Sequence, residues 1–137
     1  MVKTYDDIVT NLSEKSYQVV DTLDEGFFTG KDHYPIEGLR SGHILGAKNL
    51  VYTNLIDKEG GVLMDKKGLA KVISESGIDL SKPFVASCGT GVTACCLALA
   101  AYLCDKEVPV YDGSWMEYYQ RSTAEMRVCP DDTKSTN

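Results

Sequence analysis

Hydrophobic positions along this chain follow two periods that take turns. Over 4–12, TYDDIVTNL sets Ile8, Val9 and Leu12 at helical spacing behind Thr4, a capping residue. YQVVD at 17–21 predicts a short buried strand. Residues 24–42 hold Gly26, Gly30, Gly38, Gly42 and Pro35, which predict a long loop. HILGAKNLV at 43–51 predicts a second short strand. DKKGLAKVISESG at 65–77 puts Leu69, Val72 and Ile73 on one helix face, with Gly77 as its stop.

KPFVAS at 82–87 predicts a strand in the interior of a sheet. ACCLALAAYLC at 94–104 is apolar nearly all round, which predicts a helix covered by protein on most sides. EVPVYDGSW at 107–115 predicts a further short strand, and WMEYYQRS at 115–122 a last helix. Strands that alternate with helices imply an α/β domain with a mostly parallel sheet. A single domain is expected over residues 1–128, followed by a polar tail at 129–137.

Composition narrows the partners. A length of 137 residues fits one domain with a real core, and 43% hydrophobic against 25% charged residues is ordinary for a globular chain. The net charge of −6 and the lack of a Lys/Arg cluster argue against nucleic-acid binding. The apolar run from Val92 to Cys104 is too short to span a bilayer, and the polar N-terminus predicts no secretory leader. The five cysteines are odd in number and lack CxxC or zinc spacing. That predicts neither a disulfide framework nor a metal site, and points to a reducing, cytoplasmic compartment, with mitochondria as the alternative.

The candidate chemistry lies in FVASCGTGVTACCLALAAYLC, residues 84–104. Cys88 falls between a predicted strand and a predicted helix, at the carboxyl end of the sheet where α/β domains bind ligands. Gly89 and Gly91 allow the backbone N–H groups from Gly89 through Thr90, Gly91 and Val92 to Thr93 to converge on one point. Such a nest, at a helix N-terminus, favours an anion and hence the nucleophilic thiolate. The hydroxyls of Thr90 and Thr93 add donors. A second reading stays open, in which Cys88 is one more buried thiol. Cys95, Cys96 and Cys104 are expected to be core packing, and Cys129 carries no signal.

Two anion-loop chemistries fit poorly. No lysine follows the glycines, so a nucleotide P-loop is absent. A cysteine-dependent phosphatase needs an arginine six positions after its cysteine, and that position is Ala94. A persulfide on Cys88 asks for less, because backbone N–H groups alone can cradle its terminal sulfur. It needs no metal and no organic cofactor, and it predicts two half-reactions with ping-pong kinetics.

YQVVD at 17–21, GLRSGHILGAKNL at 38–50, LSKPFVASCGTGVTACCLALAAYLC at 80–104 and VPVYDGSWMEYY at 108–119 together resemble a rhodanese domain. The match is to the catalytic C-terminal domain of the mercaptopyruvate branch, whose cysteine loop reads C-G-[ST]-G-V-T. The resemblance implies a rhodanese-like α/β fold and a sulfurtransferase. Sulfane sulfur would pass from a small donor of the 3-mercaptopyruvate or thiosulfate type, through Cys88, to cyanide or a thiol. The implied acceptors are a thioredoxin-like protein or a low-molecular-weight thiol, and a second rhodanese domain is an implied partner.

The departures are specific. The family's first strand continues V-V-D-A-R, where this chain has Leu23 in place of the arginine. Two arginines that hold the donor carboxylate in the family fall on Phe27 and Ile36, and Arg40 sits at a different motif position. Their loss makes a weak enzyme one expectation and a non-catalytic binding or sulfide-sensing module the alternative. His43 is expected to fix loop geometry and His33 to be solvated. Asp21 and Asp112 are expected to cap turns, Ser114 to cap the last helix, and Trp115 to pack. Tyr118 and Tyr119 fit either a pocket wall or plain helical packing.

Overall fold

A computed structural model describes residues 2–35, 37–57, 61, 63–79, 81–89 and 93–129. Five short parallel strands form the main sheet: β1 (Val2–Lys3), β2 (Gln18–Asp21), β4 (Lys48–Asn49), β5 (Phe84–Ser87) and β6 (Val110–Tyr111), in the order β1-β6-β5-β2-β4. Among the described residues, five α-helices accompany them: α1 (Tyr5–Glu14), α2 (Glu25–Thr29), α3 (Lys66–Glu75), α4 (Ala94–Leu103) and α5 (Ser114–Arg121). A small antiparallel pair, β3 (His43–Ile44) with β7 (Arg127–Val128), stands apart. The α/β class and the parallel sheet expected from the alternation are present.

β5 shows why this sheet is covered on both sides. All four of its residues are buried. Phe84 and Ala86 join a core with Leu69, Ile73 and Leu97, whereas Val85 faces a second core with Ile8, Tyr111, Trp115 and Tyr118. Successive side chains of a strand point to opposite faces, so one four-residue strand feeds two hydrophobic layers. α3 and α4 supply the first layer, and α1 and α5 the second.

The helix ends follow local chemistry. Thr4 and Asp7 form a reciprocal capping box at the start of α1. Asp65 caps α3 through the Gly68 N–H, and Gly77 follows that helix at φ 86°, where a side chain would be strained.

Three expectations need correction. The predicted loop over 24–42 contains α2. HILGAKNLV is two strands in two different sheets, because the turn at 45–47 redirects the chain between β3 and β4. α4 is not covered on most sides: it buries Ala94, Leu97, Ala100 and Ala101 but exposes Leu99, Tyr102 and Leu103. Cys95, on that open surface, is exposed and does not fill the core; Cys96 is half-buried, and Cys104, also half-buried, packs against the first core as expected.

Candidate active site around Cys88

β2 and β5 are register neighbours, with Asp21 opposite Ser87, so both strands deliver their carboxyl ends to one place. Cys88 follows β5 there, and it is buried. Three hydrogen bonds to the first turn of α5 pin the chain. Ser114 Oγ accepts the Cys88 N–H at 3.0 Å, Trp115 N–H donates to the Cys88 carbonyl at 2.7 Å, and Met116 N–H donates to the Gly89 carbonyl at 2.9 Å. The first turn of α5, whose N–H groups need acceptors, thus binds the cysteine segment instead of water. Ser114 Oγ in turn donates to the Tyr111 carbonyl at 2.8 Å and lies 4.0 Å from Cys88 Sγ.

This corrects the reading of Ser114 as a helix cap. Gly113 is the N-cap and makes no side-chain cap bond, while Ser114 is the first helical residue, at φ 50°. Its hydroxyl caps the cysteine segment from across the fold. Trp115 is packed as expected, and its Nε1–H reaches the Arg40 carbonyl at 2.8 Å. Tyr118 is core packing, with its hydroxyl donating to the Met126 carbonyl at 2.6 Å.

From the β2 side, Thr22 N–H and Thr22 Oγ1 both donate to the Ser87 carbonyl, at 2.8 and 3.1 Å. Thr22 Oγ1 is also 3.0 Å from Thr93 Oγ1. The Thr93 hydroxyl is therefore engaged with Thr22 at the start of α4. Thr90, Gly91 and Val92, the rest of the expected anion nest, lie outside the described residues, as does Ile36.

Asp21 ends β2 opposite Ser87. Its Oδ1 accepts the Leu23 N–H at 2.9 Å, the turn-capping role expected of it. The carboxyl is buried, and burial pushes its pKa up to about 7. Asp112 is exposed. His43 holds loop geometry, as expected. Its Nδ1 is 2.6 Å from the Phe28 carbonyl and its ring stacks on Phe28 at 3.8 Å; burial lowers its pKa. His33 and Arg40 are exposed.

Among the described residues, Leu23 and Tyr34 lie against Gly89. Leu23 packs against both cores. Phe27 meets the Tyr34 ring edge-on at 5.5 Å. Tyr34 is buried and its hydroxyl lies against Gly89, so tightly that a methyl group on Gly89 would overlap it. The sequence reading missed Tyr34 and Thr22. The signal available for Tyr34 was faint: an aromatic residue before Pro35 inside a glycine-rich loop.

The comparisons agree with this geometry. The profile of the rhodanese-like domain matches residues 4–121. Human 3-mercaptopyruvate sulfurtransferase is 46% identical over 125 residues, 90% of this chain and 42% of that protein. Bovine thiosulfate sulfurtransferase is 41% identical over 127 residues, 91% of this chain and 42% of its own length. The chain thus spans about two-fifths of the length of these curated relatives. Among solved structures, the Tum1 protein of Saccharomyces cerevisiae superposes with a TM-score of 0.82 at 28% identity, over 93% of this chain and 46% of that one. The 3-mercaptopyruvate sulfotransferase SseA of Escherichia coli superposes with a TM-score of 0.69 at 32% identity, over 83% of this chain and 42% of that one. With the profile spanning both core layers and the Cys88 segment, this chain belongs to the rhodanese-like domain family.

Proposed function

We propose that this chain is a sulfurtransferase whose nucleophile is Cys88. The observation that supports it is the placement of Cys88 past the carboxyl end of the central strand, held by Ser114, Trp115 and Met116. A nucleophile fixed by its own main chain needs little reorganisation when a donor arrives. In the first half-reaction the Cys88 thiolate attacks the sulfane sulfur of the donor. With thiosulfate, the S–S bond breaks, sulfite leaves with the electron pair, and Cys88 becomes a persulfide. In the second, an acceptor thiolate attacks the outer sulfur, becomes a persulfide itself, and returns Cys88 as thiolate.

The cradle for the bound sulfur is Gly89, Thr90, Gly91, Val92 and Thr93, a role that rests on the C-G-T-G-V-T pattern. The reaction calls for no metal and no organic cofactor. The acceptor is a low-molecular-weight thiol or a thioredoxin-like protein, with a second rhodanese domain as a further partner. We place it in a reducing compartment, the cytoplasm or mitochondria, because the five cysteines are odd in number and lack disulfide-framework spacing. Residues 1–128 form one rhodanese domain, followed by a polar tail at 129–137.

The test is sulfur transfer from 3-mercaptopyruvate and from thiosulfate to a thiol, by the wild-type chain and by Cys88→Ala, with mass spectrometry of the Cys88 peptide. Turnover that vanishes in the variant, with sulfur added to Cys88 in the wild type, is the expected result. A wild-type Cys88 that takes up no sulfur from either donor would sink the proposal.

A further inference from the structure

We infer that the cavity at the amino end of the sheet is a second ligand site, which takes a small amphipathic anion: a carboxylate or sulfonate carried on an aromatic or branched apolar body. This goes beyond sulfur transfer and does not rest on it.

Three observations carry the inference. The first is place. The cavity measures about 750 Å³, within the range of small-molecule sites. It lies where β2 and β5 begin, lined by Gln18, the first residue of β2, and by Pro83, just before Phe84. Cys88 follows the other end of β5, so Pro83 and Cys88 stand apart by the length of the strand, about 16 Å.

The second is the apolar lining. Ile8 and Val19 belong to the second core and are buried, while Leu12 and Tyr17 are half-buried. Leu45, in the turn after β3, is 46% exposed at the same cavity. An aromatic or branched body would take this surface out of water.

The third is charge. The whole chain carries −6, yet this cavity is lined by Lys15, Lys48 and Lys82 against a single acid, Asp79. None of the three lysines joins an ion pair among the described residues. Asp79 is already engaged, since its Oδ1 accepts both the N–H and the hydroxyl of Ser81. The sign of the protein is thus reversed here, beside exposed hydrocarbon. An inorganic anion would leave the apolar lining uncovered, and a neutral apolar body would leave the ammonium groups unanswered.

The walls are fixed by hydrogen bonds of their own. Asn11 Oδ1 accepts the N–H groups of Ser16 and Tyr17 at 2.8 and 3.2 Å, and its Nδ2 donates to the Tyr17 carbonyl at 2.9 Å. Gln18 bridges both main-chain groups of Asp79. A site held in this way loses little entropy when a ligand binds.

The probe is anilinonaphthalene sulfonate, and its control is phenylnaphthylamine, the same aromatic body without the sulfonate. Both are titrated by fluorescence into the full chain, and amide shifts are followed by NMR. Saturable sulfonate binding is expected, with shifts at Leu12, Leu45 and Lys48 and none at Gly89 or Trp115. Each exposed cation is worth a factor of about two to five. The triple variant Lys15→Gln/Lys48→Gln/Lys82→Gln should therefore bind the sulfonate at least about tenfold more weakly and leave phenylnaphthylamine within about twofold. Leu45→Ser should weaken both probes, and circular dichroism checks that each variant is folded. Sulfonate binding that is not saturable, or that survives the triple variant, overturns the inference. So do an equal loss of both probes in that variant, a Leu45→Ser variant that weakens neither, and shifts centred away from this cavity.

Discussion

The Ser114 hydroxyl oxygen accepts the main-chain N–H of Cys88 at 3.0 Å, across 26 residues of sequence. Both residues are buried. The bond ties the segment that carries the thiol to the first turn of α5, and the same oxygen donates its proton to the Tyr111 carbonyl.

Ser114→Ala strands the Cys88 N–H and the Tyr111 carbonyl in a dry site, and should cost about 1–3 kcal/mol of stability. Ser114→Gly should cost less, because Ser114 sits at φ 50°, where glycine is unstrained. Helix propensity alone ranks the two the other way, alanine above glycine. Urea midpoints of the two variants decide it, and an alanine variant more stable than the glycine one would refute the account.

Gly89→Ala drives a methyl group into the Tyr34 hydroxyl. Overpacking of this kind costs about 1–3 kcal/mol. Tyr34→Phe removes the hydroxyl that is struck, so the Gly89→Ala/Tyr34→Phe double variant should be more stable than the sum of the singles predicts. Strict additivity in a double-mutant cycle would show that the two residues do not touch.

Asp21 makes stability depend on pH in an unusual sense. Its folded pKa is raised to about 7 from an ordinary value near 4, so the folded state holds its proton more tightly than the unfolded one. Its contribution is fully present below pH about 4 and is lost as pH rises toward 7. Asp21→Asn keeps the acceptor for the Leu23 N–H and removes the ionisation. It should gain stability relative to wild type as pH climbs through that window. His43, whose pKa is lowered by burial, acts in the opposite sense, so the effect is read as the difference between the two proteins. Parallel stability–pH curves would rule Asp21 out.

The two leucines of α4 separate its faces. Leu97 is fully buried, and Leu97→Ala should cost about 2–5 kcal/mol. Leu99 is 51% exposed, and Leu99→Ala should stay within about 0.5 kcal/mol. Equal losses on thermal denaturation would mean that the outer face is packed after all.

That helix also shows where the sequence stops being legible. Amphipathic α1 and α3 declare their inner faces, and the mostly apolar β5 announces an interior strand that ends just before Cys88. Uniformly apolar α4 offers no contrast between its faces, so nothing local says which side meets the core. Two-residue strands such as β3 and β4 are equally silent, because their partners are chosen by distant pairing and not by pattern. Cys88 was legible because a strand, a glycine pair and a helix start are all local signals. Ser114 under Cys88, Thr22 on the Ser87 carbonyl and Tyr34 over Gly89 are contacts between residues far apart in the chain. Periodicity and motif spacing carry no trace of such contacts.

The strand order carries a consequence for how the molecule is made. β1 has one neighbour in the sheet, β6, with Val2 aligned to Val110. A chain growing from its amino end would present Val2 and Lys3 long before their partner exists, with α1 already able to close on its own cap. The outer strand must wait, unpaired, until Tyr111 and the Ser114 turn arrive. Closing so long a loop slows folding, and it brings the last neighbour of the main sheet and the anchor of the Cys88 segment into place together. The segment that carries Cys88 would then acquire its shape only when the body of the domain has been synthesised.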